Sequence, residues 1–247
     1  MPRTEQEVRI KHCQVITEWE DISAECRTTV TRLKPSADEL WYLHLLLTLW
    51  KEVAENYDQM LSANGKGQVA RLAWAGRNQL ELHYWIRFVL VSRVNAKRFC
   101  EDGFCDSVNL LEALLKVHRA VEQALGHSYP IPGLDFTVED MWKDMELKQV
   151  KQGDRFLDVR NVAASFGEED FFNFVNKLFS KFVHPTSMSV QHKNEVRQLV
   201  QPLLLDVGAN LSEMSIPNIH AEMRTEVRRI QELYEGLKPS SASCPVN

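Results

Sequence analysis

Residues 69–91 are apolar on two faces, and no other stretch constrains the fold as strongly. At roughly 100° per residue, Ala70, Ala73, Trp74, Leu80, Tyr84, Trp85, Phe88 and Val91 share an arc of about 140°. Leu72, Ala75, Leu82, Ile86 and Leu90 form a second face. A helix that is apolar nearly all round has to be enclosed by other helices, so residues 69–91 predict a central helix. Arg77 and Glu81 fall inside the first arc, where ionised side chains rarely go unpaired. They are expected to bond to each other, to another helix or to a ligand.

The flanking sequence supplies the enclosing helices, and strand signals are nearly absent. A first helix runs from Thr4 to about Leu33 and stops at Lys34-Pro35. Ser36-x-x-Glu39 is a capping box that opens a second helix, continuing to about Leu61. Asn64-Gly65-Lys66-Gly67 breaks the chain before the central helix. Beyond Asp102-Gly103 a fourth helix is expected over about Ser107 to Leu125, then a Pro-containing loop from Gly126 to Phe136. Thr137-x-x-Asp140 starts another helix, and Arg155 to Ser165 forms a short segment. Further helices follow over Glu168 to His184, about His192 to Met214 and Asn218 to Gly236, the last two separated by Ile216-Pro217.

The fold expected is an all-α, single-domain helical bundle of seven or eight helices around residues 69–91. Residues 1–236 form this domain, with 1–35 as a peripheral N-terminal helix, and 237–247 form a disordered tail. Trp41, Trp50, Trp74 and Trp85 fall at core helical spacing.

A net charge of −5 gives no global basic field to gather a nucleic-acid backbone. The five cysteines lack Cys-x-x-Cys or Cys/His ligand spacing, so they read as free thiols of a reducing compartment. Neither a metal nor a cofactor is expected. The greasiest stretches are too short or too charged to span a bilayer, and the start of the chain lacks a signal-peptide core, so a cytoplasmic protein with no membrane contact is expected. Gly-rich phosphate loops, His-Glu-x-x-His and Gly-x-Ser-x-Gly are absent.

Two segments could carry chemistry. Arg77 and Glu81 are i, i+4 neighbours on the central helix, and as an exposed pair would contribute only ~0.2 kcal/mol. They are read either as an ion pair between helices or as part of a polar pocket in the bundle. In the second segment Asn173, Lys177, Ser180 and His184 line one stripe, opposite Phe171, Val175, Leu178, Phe179 and Phe182. Pro185 places His184 at a helix C-terminus, where the dipole favours a donating imidazole, and Thr186, Ser187 and Ser189 add hydroxyls. A solvated face with His184 capping its own helix explains the same pattern.

Together these segments resemble a family of bacterial all-helical proteins with Arg-x-x-x-Glu in a hydrophobic helix and Ser-x-x-x-His-Pro about a hundred residues later. Arg77 and Glu81 match the first motif; Ser180, His184 and Pro185 match the second. Ala163 to Phe174 resembles the approach to the second motif, with phenylalanine at Phe172 and Phe174 where the family tends to have tyrosine. The family has no activity to lend. The resemblance implies an association between the two segments, with Arg77, Glu81, Ser180, His184 and Ser187 as ligand-binding candidates and Arg77, Glu81 and His184 as catalytic ones. Separately, Arg77-Asn78 followed by His83 is similar to the Arg-x(4–6)-His signature of the HEPN superfamily. That likeness implies a metal-independent endoribonuclease of a toxin or phage-defence system, with Arg77 and His83 as catalytic residues and nucleic acid as partner. Gln79, His83 and Arg87 also read simply as the narrow polar seam of a central helix.

Three readings of function stand. The first is a non-enzymatic sensing or interaction module whose internal Arg/Glu/His site binds a small anion. The second is the HEPN-like ribonuclease, a hydrolase. The third is a polar core that only specifies packing. Homodimerisation through the fourth or last helix is open, with no residue pattern to locate it.

Overall fold

The structure is a computed structural model, which describes residues 3–126, 143, 157–184 and 193–236. Helix is the only regular structure among the described residues, so the chain is all-α as expected. The helices are α1 (Glu5–Leu33), α2 (Ala37–Gly65), α3 (Val69–Val91), α4 (Arg93–Leu125), α5 (Val159–Ser165), α6 (Glu169–Val183) and α7 (Gln201–Glu235). A short helical turn, Lys193–Glu195, and a π-turn, Val196–Val200, lead into α7. The chain divides into two compact units, Ser92–Asp158 and the remainder.

The larger unit is built on α3, which packs against α2, α5, α6 and α7, as a helix with two apolar faces must. Its closest approach to α7 is made by glycines. A Cβ on Gly208 would come 2.6 Å from Met60 Sδ and 3.4 Å from Gly76 Cα, while a Cβ on Gly76 would collide with the Phe179 ring of α6. The Tyr84–Phe172 ring contact, at 5.6 Å between centroids, lies further along the same pair of helices. These two contacts set α3 and α6 antiparallel.

Helix α1 is buried along one side. Val8, Val15, Ile22, Cys26 and Thr29 are buried, a heptad-like seam laid on α2 and α7. Thr4 and Glu7 cap its start reciprocally, with the Thr4 N–H donating to Glu7 Oε2 at 2.7 Å. Arg3 holds that end to α7 through Asp206 and Glu213, each at 2.7 Å. At α2 the expected capping box is present: the Ser36 N–H donates to Glu39 Oε2 at 2.7 Å.

Two expected breaks do not occur. Helix α7 runs unbroken through Pro217. An interior proline costs about 3 kcal/mol, yet Ser212, Ser215, Ile216 and Ile219 around it are all buried, and their packing holds both halves in line. Helix α4 starts at Arg93 rather than near Ser107, because Gly103 continues the helix in open space. That placement costs only about 1 kcal/mol relative to alanine.

In the unit Ser92–Asp158, the Ser92 side chain caps α4 by accepting the Asn95 N–H at 3.1 Å. Gly126 ends the helix in the left-handed conformation. Cys105, Val108 and Leu115 are buried, and the Leu157 N–H donates to Asp102 Oδ1 at 3.1 Å. The helix expected from Thr137 and the tail 237–247 lie outside the described residues. No helix among the described residues is long and apolar enough to cross a membrane.

Candidate functional site

The first predicted pair closes on itself at the surface. Arg77 Nε donates to Glu81 Oε1 at 3.2 Å, and the two side chains are 40% and 35% exposed. The arc assigned to them is covered only in part: Ala73, Leu80 and Tyr84 are fully buried while Ala70 and Trp74 are exposed, and on that open side burial does not force a partner upon them. Trp50 is fully enclosed as expected of a core tryptophan, Trp41 and Trp85 are half-buried, and Trp74 is exposed.

The second motif points away. His184 is exposed, in extended backbone as Pro185 dictates, and Ser180 Oγ reaches only Asn176 Oδ1 at 3.5 Å. With α3 and α6 antiparallel, His184 comes level with about Leu72, roughly nine residues or ~14 Å along α3 from Glu81. The two motifs therefore do not form one site, and the solvated-face reading of the Ser180–His184 stripe fits. The opposite face is buried through Phe172, Val175, Phe179 and Phe182, while Phe171 is 48% exposed. Ser187 lies outside the described residues.

His83 is buried against α7. The Ser215 hydroxyl donates to the Leu211 carbonyl at 2.9 Å, so its oxygen accepts the His83 Nδ1–H at 3.0 Å. Burial pulls the His83 pKa down to about 4, with Arg87 adding to the shift and Glu168 opposing it. An enclosed neutral imidazole on another side of the helix from Arg77 is poorly placed to act with it on a phosphodiester.

Next to His83 the chain assembles a polar cluster. Arg87 Nη1 donates to Glu168 Oε2 at 2.6 Å, the Tyr84 hydroxyl donates to the same oxygen at 3.0 Å, and the guanidinium lies 4.1 Å from the Phe166 ring centroid. The hydrogen bond from Arg87, joined by that from Tyr84, holds the Glu168 carboxyl below the usual carboxylate range. This triad fastens the start of α6 to α3. It was legible only as the polar seam of α3, since nothing in the sequence marks Glu168 as the partner of Arg87.

The arrangement best suited to holding a ligand was not foreseen. A groove of about 500 Å³ runs between α1 and α2, lined by Trp19, Ser23, Cys26, Val30, Leu43 and Leu47 among others. Its walls are mostly apolar, and its charged lining residues are Arg27 and Lys51, without an acidic one. A second hollow, lined by His12, Trp19, Lys51, Glu55 and Asp58 among others, shares Trp19 and Lys51 with it, and Lys51 Nζ pairs there with Glu55 Oε1 at 3.4 Å. Trp19 Nε1, Ser23 Oγ and His12 Nε2 are buried without a hydrogen-bond partner. Ser23 is 4% exposed. Orphaned buried polar atoms are rare and costly, and two of them, Trp19 Nε1 and Ser23 Oγ, belong to residues that line the apolar groove, where a polar ligand atom would satisfy them. The available signal was the 4-3 spacing of Val8, His12, Val15, Trp19, Ile22 and Cys26, which puts His12 and Trp19 in the seam of α1. No protein-family model, curated protein or solved structure matches this chain.

Proposed function

We propose that this protein is a non-enzymatic helical sensing module that binds an amphiphilic anion, an alkyl chain bearing a carboxylate or similar head, in the groove between α1 and α2. The observation that carries this reading is the unpartnered Trp19 Nε1 and Ser23 Oγ in an apolar groove whose charged lining is wholly cationic. The head group accepts from the Trp19 indole and Ser23 hydroxyl beside Lys51, and the alkyl chain lies along Val30, Leu43 and Leu47. In this reading the ligand is an amphiphilic anion at α1 and α2, in place of the small anion expected at Arg77, Glu81, Ser180, His184 and Ser187. The closed geometry of Arg77–Glu81 and the enclosure of His83 weigh against the ribonuclease.

Thermal unfolding with decanoate, decanol and acetate tests the reading. A ligand at a hundred times its Kd stabilises the folded state by about 2.7 kcal/mol. Decanoate should raise the melting temperature, decanol should raise it less and acetate should leave it unchanged. Arg27→Glu with Lys51→Glu should abolish the decanoate effect; both side chains are exposed, so folding should survive. A decanoate shift of the same size in the reversed variant, or none in the natural protein, would contradict the proposal.

A further inference from the structure

Helix α1 is held more loosely than the helices beneath it. Six of its 29 residues are buried, two of them the polar Ser23 and Thr29, against fourteen of the 29 of α2. Its polar attachments lie towards its ends. At the start Arg3 reaches Asp206 and Glu213, each at 2.7 Å, and Glu5 Oε2 accepts from Asn64 Nδ2 at 2.6 Å. At the other end Thr29 Oγ1 accepts from Gln231 Nε2 at 3.2 Å, and Arg32 meets Glu235 at 3.2 Å. Between them the seam offers Val15, Ile22 and Cys26, interrupted by the unpartnered His12 Nε2, Trp19 Nε1 and Ser23 Oγ. Those three atoms gain water when α1 lifts away, so lifting recovers a cost that docking carries. The joints among α2, α3 and α7 do not involve α1: Gln79 Nε2 donates to the Val53 carbonyl at 2.7 Å, Gln201 Nε2 to the Asn64 carbonyl at 2.8 Å, and Gly208 lies against Met60.

The connection from α1 to α2 is Lys34-Pro35-Ser36. Lys34 has φ 51° and ψ 50°, and among the described residues it alone has a positive φ without being glycine. A side chain makes this left-handed conformation costly, and Pro35 favours extended backbone at the residue before it. Turning Lys34 to extended geometry relieves both and swings α1 off α2, which is how a hinge works.

We infer that α1 is the moving part of this sensor: it opens as one unit about Lys34-Pro35 while α2, α3, α6 and α7 stay folded, and a ligand in the groove holds it closed. Trp19, Ser23, Cys26 and Val30 form one wall of that groove and Leu43, Leu47 and Lys51 of α2 the other, so opening takes the site apart. The ligand's part in this rests on the groove reading above; the opening itself does not.

Hydrogen exchange of the full chain, followed by mass spectrometry, tests both. A detached helix of this length is marginal in water, so its amides exchange whenever α1 is open. Residues 13–28 should exchange at least about 100-fold faster than α3, with protection restored by Leu43. Arg3→Ala removes the latch at Asp206 and Glu213 and should speed exchange in α1 about tenfold. Phe179→Leu weakens the α3–α6 contact, which survives when only α1 opens. It should therefore speed exchange in α3 about tenfold and leave α1 unchanged. Decanoate at 100 times its Kd, taken from the melting titration, should slow exchange in α1 about 100-fold. Exchange in α1 at the rate of α3, or sped equally with it by Phe179→Leu, would overturn the opening. Exchange in α1 unchanged by decanoate that raises the melting temperature would overturn the ligand's hold on it. If decanoate leaves the melting curve in place, the groove reading falls and the ligand's hold with it, while the ligand-free comparison still decides the opening.

Discussion

His83 is neutral because it is buried, and Ser215 fixes which ring nitrogen carries the proton. Its pKa is near 4 in the folded chain and 6.5 in the reference state, so between these values the unfolded chain binds a proton that the folded one does not. Stability is therefore full above pH 6.5 and falls as pH drops towards 4, by about 2–4 kcal/mol at the end of that window. His12, lowered first by burial, adds to the fall with the same sign. Urea unfolding across pH 4 to 7 should show the loss, and His83→Gln should flatten much of it; an unchanged slope in that variant would assign the dependence elsewhere. The ion pairs divide by exposure. Arg77→Ala should change stability by less than about 0.5 kcal/mol, since the pair is surface-screened. Arg87→Ala should cost about 1–2 kcal/mol, because it strips Glu168 of its charged donor and uncovers Phe166. Chemical denaturation of the two variants side by side measures the difference.

At the scale of the element, Gly76 and Gly208 let α3 and α7 approach closely. Gly76→Ala gains about 1 kcal/mol of helix propensity but drives a methyl into Phe179, an overpacking expected to cost about 1–3 kcal/mol or more. The net should be destabilising. Combining it with Phe179→Leu should cost less than the two single changes added together, because the smaller side chain admits the methyl. Strict additivity in calorimetry would show that the two positions are not coupled. Much of the element level was legible in sequence. The bounds of α3, the capping box of α2, and the end of α6 before Pro185 follow from periodicity and local chemistry. Pro217 and Gly103 misled, since both are breakers by propensity. Propensity is outweighed by packing at Pro217, and at Gly103 is too weak to stop an established helix.

For the molecule as a whole, three-dimensional convergence was the part that sequence could not supply. The Arg77–Glu81 and Ser180–His184 motifs are each real as patterns, but the antiparallel setting of α3 and α6 holds them apart. The partner of Arg87 is 81 residues away at Glu168, and its choice depends on how the turn before α6 meets α3. The groove between α1 and α2 depends on two helices meeting, so the signal within α1 alone gave only a seam containing His12 and Trp19. With Arg77 closed on Glu81, His83 on Ser215 and Arg87 on Glu168, the proposed site lies at the unsatisfied Trp19 and Ser23 atoms of the α1–α2 groove. The most direct measurement is the indole N–H signals of the six tryptophans in a proton–nitrogen NMR spectrum during a decanoate titration. Trp19, assigned by its loss in Trp19→Phe, should shift downfield and saturably as its buried N–H gains an acceptor, while Trp50 and Trp74 stay in place. A titration in which the Trp19 signal does not move, or moves no more than that of exposed Trp74, would contradict the account.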